Sequence, residues 1–173
     1  MSPVKEAPMH RLVLIGLALT LPFIVVAAPA APSTDAKQEI QRIVDTFQTA
    51  IIAKDGKTLS NLFLPKGGAW FTVLSDESYA RIKAKEPTAP RFKQGTYTDF
   101  VDFVAASKEP VQETFSNVRI DTDGAVASVY FDFVFLANHV ENNRGSEAWH
   151  LIKTNDGWKI SSMIYSANLG DKD

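Results

Sequence analysis

Moving a proton on an organic molecule requires a carboxylate in apolar surroundings and a donor for the charge that develops on the substrate. Two carboxyls of this chain are candidates for such work. Glu147 begins an alternating run with Trp149 and Leu151, so all three share one strand face, and Trp70, Tyr97 and Trp149 could surround it. The competing account is a strand-edge carboxylate near solvent. Asp132 stands between Phe131 and Phe133, but strand alternation turns it away from them, which suits a polar or dimer contact as well as catalysis.

Other chemistries find less support. His139, Glu141, Glu147 and His150 form an H-x-E followed by an E-x-x-H, a set that suggests a metal. Residues three apart on a strand project to opposite faces, so Glu147 and His150 cannot meet on one ion without a bulge, and no metal or cofactor is expected. Arg81, Lys83, Lys85, Arg91 and Lys93 could guide an anionic ligand; a solvated loop accounts for them equally simply. No phosphate loop, dinucleotide fingerprint or G-x-S-x-G elbow occurs. The absence of Cys excludes disulfides, thiolate metal sites and cysteine nucleophiles. With 18 basic against 20 acidic side chains, the chain lacks the cationic surplus of a general nucleic-acid binder.

The elements that must position these groups follow a leader. Lys5, His10 and Arg11 precede an apolar run from Leu12 to Val26 and the small residues Ala27 to Ala31, the order of a secretory signal peptide. Its 15 residues rise only about 22 Å as a helix, short of the roughly 30 Å hydrocarbon core. Cleavage is placed after one of Ala28 to Ala31. This predicts a periplasmic or secreted domain over 32–173, the alternative being an uncleaved N-terminal anchor as the sole membrane attachment. Removing 1–31 leaves 142 residues carrying 16 basic and 19 acidic groups, enough chain for one core without cross-links.

Asp35 can cap a helix in which Ile40, Ile43, Val44, Phe47 and Ile51 recur on one face, ending near Lys54 where Gly56 can take positive φ. A shorter helical piece carries Leu59, Leu62 and Phe63 to Pro65, and 69–74 reads as a strand. Residues 76–84 read as a helix and the stretch to Gly95 as a loop. Thr96 or Thr98 caps a helix turning Tyr97, Phe100, Phe103 and Val104 toward the core. From Val111 the period becomes 2, predicting strands near 112–120, 125–137, 147–154 and 158–167. Asp121 to Gly124 and Thr154 to Gly157 are hairpin turns, whereas Asn138 to Ser146 reads as a longer connection. Helices followed by an antiparallel sheet define an α+β domain.

Within the sheet, Val129, Phe131, Phe133 and Phe135 should face the helices, each phenylalanine contributing about 1.5–3 kcal/mol on burial. A bulged Gly157 would set Leu151 opposite Ile160 and Trp149 opposite Ser162, with Ile164 also inside. The outer face would then hold Tyr130, Val134, Leu136, His150, Ile152, Met163 and Tyr165. So apolar a face predicts a two-fold homodimer packed through the sheet, the alternative being the ordinary apolar scatter of a monomer.

The stretch Glu147 to Ser166, with its Asp-Gly-Trp-Lys-Ile turn, placed after a helix containing Phe47 and the segment from Lys54 to Phe63, resembles the nuclear transport factor 2-like superfamily, specifically its SnoaL-like and lumazine-binding-like bacterial members. The likeness spans nearly all of 35–167. It implies a curved antiparallel sheet wrapped around N-terminal helices into a cone with a ligand cavity, frequently dimeric through the sheet. Members include isomerases, dehydratases, epoxide hydrolases, polyketide cyclases and proteins that only bind, and no catalytic motif of theirs transfers residue by residue to this chain. The leading expectation is an exported domain binding a small apolar or aromatic molecule, with a pocket wall of Trp70, Tyr97, Phe100, Thr114, Trp149 and Ser162. An isomerase or dehydratase using Glu147 or Asp132 is the second reading and an interaction module acting through the outer sheet face the third.

Overall fold

A computed structural model describes residues 34–65 and 68–170; the signal-peptide segment lies outside them. Four helices and six strands follow in the order α1 (Thr34–Ala53), α2 (Gly56–Asn61), β1 (Trp70–Leu74), α3 (Asp76–Lys85), β2 (Phe92–Gln94), α4 (Tyr97–Ala106), β3 (Val111–Thr122), β4 (Val126–Ala137), β5 (Val140–Thr154) and β6 (Gly157–Leu169). The strands form one open sheet in the order β2-β1-β6-β5-β4-β3. All neighbours are antiparallel except β1 and β6, which run parallel, so the sheet is mixed and not wholly antiparallel as the alternation predicted. The partner of β1 lies some ninety residues downstream, a pairing that local patterns do not encode.

The helix signals place their elements well. The apolar stripe of α1 buries Ile40, Val44, Phe47 and Ile51 against the sheet. Positive φ at its end falls on Lys54 (φ 54°) and not on Gly56. Gly56 serves packing instead: a Cβ there would stand 3.1 Å from the Ala105 Cβ of α4. Asp55 caps α2 by accepting the Thr58 amide at 2.9 Å, Ser75 caps α3, and Thr96 caps α4. In α4, Val101 and Val104 are buried whereas Phe103 is half exposed. The stretch read as a loop after α3 contains β2, an exposed edge strand on β1.

The hairpins at Gly124 (φ 95°) and Gly157 (φ 93°) form at the expected turns, and Val129, Phe131, Phe133 and Phe135 face the core. Asn138 to Ser146 is not a long connection. Asn138 and His139 both adopt positive φ, at 51° and 63°, and make a two-residue hairpin turn. β5 therefore starts at Val140, and a register shift opposite Phe135 and Leu136 takes up the odd residue.

A second shift decides the floor of the cone. Leu151 pairs with Ile160 as expected, but His150 pairs with Ser162 and Trp149 with Met163, leaving Ser161 as the extra residue of a bulge. The bulge lies where the chain entering β1 meets β6: Ile160 donates to the Leu62 carbonyl at 2.8 Å and Met163 to the Ala69 carbonyl at 2.8 Å. Beyond it the parity of β6 reverses. Met163 is buried and Tyr165 turns inward, whereas Ile164 is exposed, the opposite of the unbulged reading.

Candidate functional site

The open end of the cone holds a cavity of about 360 Å³, within the range of small-molecule sites. α1 supplies Phe47, β1 Trp70, α4 Phe100 and Phe103, and β4 Phe133 and Phe135. Trp70 and Phe100 pack with ring centroids 5.4 Å apart, and Trp70 meets Tyr165 edge-on at 6.1 Å. The polar groups on this wall are Glu113 of β3, Asn142, Asn143 and Glu147 of β5, and Tyr165 of β6.

Glu113 and Glu147 are the buried carboxyls, with 6% and 3% of their surfaces exposed. They lie close enough for the charge of Glu147 to raise the proton affinity of Glu113. Burial pushes the Glu147 carboxyl up to about 8, although the Trp149 indole N–H donates to it and works in the opposite direction. Glu113 is displaced well upward by burial and further by the charge of Glu147. The Asn143 Oδ1 is buried without a partner. Burial also raises the Tyr165 phenol, whose hydroxyl meets the side chains of Thr72 and Trp70.

The predicted wall divides. Trp70, Phe100 and Glu147 are brought together in the cavity. Trp149 is fully buried behind Glu147 and acts as its hydrogen-bond donor, not as exposed wall. Tyr97 stacks on Phe63 at 4.8 Å and borders a separate narrow crevice with Ser162. Ser162 is displaced from the cavity by the β6 bulge, and its Oγ lies 3.0 Å from the His150 Nδ1. Thr114 is exposed on the outer face, where its hydroxyl approaches the Val134 carbonyl. Asp132 is also on the outer side, accepting from Asn117 at 2.8 Å and from Ser146 at 2.9 Å; these bonds, the Asn117 one foremost, hold its carboxyl below the usual range. It is a structural acceptor and not a cavity base.

Glu113 escaped the sequence reading, though a signal existed. Val111, Glu113 and Phe115 share one parity and Gln112, Thr114 and Ser116 the other, so alternation from the apolar pair selects Glu113 as the inward polar residue. Ile160 and Met163 likewise report the bulge. Both are buried apolar residues three apart, a spacing a regular strand cannot place on one face.

Glu147 and His150 do project to opposite sides of the sheet, and among the described residues no three His, Asp or Glu side chains converge for a metal. None of the five cations between Arg81 and Lys93 lines the cavity. Arg81 donates to the Leu169 carbonyl at 2.6 Å, Lys83 to the Tyr79 hydroxyl at 3.0 Å, and Arg91 pairs with Asp76. Among the described residues no helix is long and apolar enough to cross a membrane.

A helix-lined, open curved sheet with a cavity at its wide end defines an α+β cone. The chain adopts the nuclear transport factor 2-like fold, as likeness to solved structures shows. An NTF2-like protein of unknown function from Pseudomonas putida KT2440 superposes with a TM-score of 0.61 at 12% identity over 83% of this chain and 100% of its own. A proposed dehydratase of the NTF2-like family from Streptomyces avermitilis gives 0.55 at 22% identity, over 79% and 98% of the two chains. A proposed aromatic ring hydroxylase from Novosphingobium aromaticivorans gives 0.56 at 14% identity, over 81% and 94%. No protein-family model matches the sequence, and no curated protein matches it.

Proposed function

We propose that this is an exported domain whose cavity binds a small, largely apolar or aromatic molecule by its carbon body and holds that molecule's polar end at Glu113 and Glu147. The observation that carries this reading is an open aromatic cavity containing two buried carboxyls with no cation beside them among the described residues. A filled core has no use for such a pair, because burying a carboxyl without compensation is costly. The test is native mass spectrometry of the purified protein for co-purifying small molecules, followed by rebinding to the wild type and to Trp70→Ala. A bound molecule lost from the variant supports the reading; an empty protein that rebinds nothing from a broad small-molecule library overturns it.

One observation favours a catalytic version. Burial pushes the Glu147 carboxyl up to about 8, close to the poise of a general acid or base at neutral pH, as an isomerase or dehydratase would require. In that version Glu147 exchanges the proton and the neighbouring Glu113 carboxyl, kept neutral, donates to a developing oxyanion. Isotope exchange at an acidic C–H of the bound molecule, lost in Glu147→Gln, is its test.

The signal segment supports export, with the periplasm or the exterior as destination. The outer sheet face, carrying exposed Val126, Tyr130 and Ile164, supports pairing of two copies. Met163 and Tyr165 do not contribute to that face, since the bulge turns them inward.

A further inference from the structure

The chemistry of the cavity wall restricts what its occupant can be. The walls are mostly aromatic side chains, whose ring faces carry negative electrostatic potential at their centres. The deepest polar groups are Glu113 and Glu147, and the Asn143 Oδ1 is a buried acceptor lacking a donor. Among the described residues no Lys, Arg or His lines the space: its titratable groups are Glu113 from β3, Glu147 from β5 and Tyr165 from β6, while α1, α4, β1 and β4 contribute only apolar or aromatic side chains. The Trp149 indole N–H that reaches the pair is already used by Glu147. The Tyr165 hydroxyl is engaged with Thr72 and Trp70. An anion would therefore meet two carboxyls and no counter-charge, whereas a donor-rich cation would meet acceptors and ring faces.

We propose, building on the small-molecule reading above, that the occupant is an organic ammonium: a small amine whose charged nitrogen is held by Glu113 and Glu147 and whose carbon body lies against Trp70, Phe100 and Phe133. A charged N–H donor to a carboxylate makes the stronger class of hydrogen bond, and an ammonium over an aromatic face gains further in a desolvated site. The Asn143 Oδ1 can take a remaining N–H. The ammonium supplies the positive charge the pair lacks, so it draws the carboxyls into their ionised form. Each proton they release passes to the buffer, and the amine itself stays protonated.

The experiment pairs amines with alcohols of the same shape: benzylamine with benzyl alcohol, 2-phenylethylamine with 2-phenylethanol, and tryptamine with tryptophol. Binding is measured by isothermal titration calorimetry from pH 6 to 8.5 in two buffers of different ionisation enthalpy. At least one amine should bind ten times or more tighter than its alcohol, with a buffer-dependent heat revealing proton release. Its affinity should rise with pH by up to about tenfold per unit for each proton released. Glu147→Gln and Glu113→Gln, each checked for native folding by thermal unfolding, should abolish the preference while retaining alcohol binding. Alcohols binding as tightly as amines would overturn the ammonium assignment and leave the small-molecule cavity standing. A panel in which neither class binds would overturn the assignment too, and the library test above then decides the cavity separately.

Discussion

Raising the pH from 5.5 to 7.0 should weaken this domain, against the usual behaviour of proteins whose carboxylates are paired in the native state. The Glu147 carboxyl keeps its proton in the folded protein up to about 8, against 4.5 when exposed. Between those values the unfolded chain binds fewer protons than the native one, so stability falls with pH. The contribution is fully present below about 4.5 and lost as pH rises through about 8. Each such group contributes a slope of about 1.4 kcal/mol per pH unit, or about 2 kcal/mol over the 1.5 units from pH 5.5 to 7.0. The Glu113 carboxyl is displaced upward as well, by burial first and then by the charge of Glu147, and works in the same direction on top of the roughly 2 kcal/mol from Glu147. That is a large share of a typical stability of about 5–15 kcal/mol. The carboxyls of Glu39, Asp55, Asp123, Asp132 and Glu141 are displaced downward and finish titrating below this window. Glu147→Gln retains an acceptor for the Trp149 indole without the charge. Urea unfolding followed by tryptophan fluorescence at pH 5.5, 6.25 and 7.0 should show a shallower slope than that of the wild type, and Glu113→Gln/Glu147→Gln should be no steeper than the single variant. Parallel wild-type and Glu147→Gln profiles, or a wild type that gains stability over this range, would refute the placement of the pair.

Three further outcomes follow from the geometry. Gly145→Ala should destabilise by at least about 2 kcal/mol, because a Cβ there would fall 1.8 Å from the Ser166 carbonyl oxygen of the neighbouring strand; Gly124→Ala, which meets no atom within 4 Å and suffers only its φ of 95°, should cost about 1–2 kcal/mol, and urea midpoints compare the two. Trp70→Ala and Phe100→Ala should weaken ligand binding at least tenfold in calorimetry while Thr114→Ala and Ser162→Ala leave it unchanged, since the last two side chains lie outside the cavity. If two copies pair through the outer sheet face, Tyr130→Asp should convert the dimer to a monomer by light scattering with its thermal midpoint little changed, because Tyr130 is 42% exposed in the single chain.

The parts of this fold that are legible in the sequence are those that depend on nearest neighbours along the chain. The α1 stripe, the Thr96 cap, the two Asp-Gly turns and the Phe131-Phe133-Phe135 row each rest on a few consecutive residues, and each takes its expected place, whereas Asp35 lies within the first turn of α1 and not ahead of it. What stays hidden depends on residues far apart. The parallel seat of β1 beside β6 joins segments some ninety positions apart. The bulge at Ser161 lies where Leu62 and Ala69 bond to β6, close enough that a Cβ on Gly68 would lie 2.7 Å from the Ser161 carbonyl oxygen.

That bulge also determines the chemistry of the site. In an unbulged β6, Ser162 and Ile164 would face the helices, and Glu147 would look across to small polar and aliphatic groups. With Ser161 bulged out of the pairing, Met163 and Tyr165 turn inward instead, and Tyr165 pairs directly with Glu147. The inward Tyr165 fills the space beside the carboxyl with a ring, removes water from it, and so contributes to the burial that keeps its proton on at neutral pH. A one-residue irregularity in the backbone therefore separates an ordinary solvated glutamate from a titratable group at the head of an aromatic cavity. Deleting Ser161 removes the bulge but keeps Met163 opposite Trp149 and Tyr165 opposite Glu147, so the inward set is unchanged. Wherever the shortened strand still folds, the descending stability profile and ligand binding should both persist, and their loss would refute this account of the register.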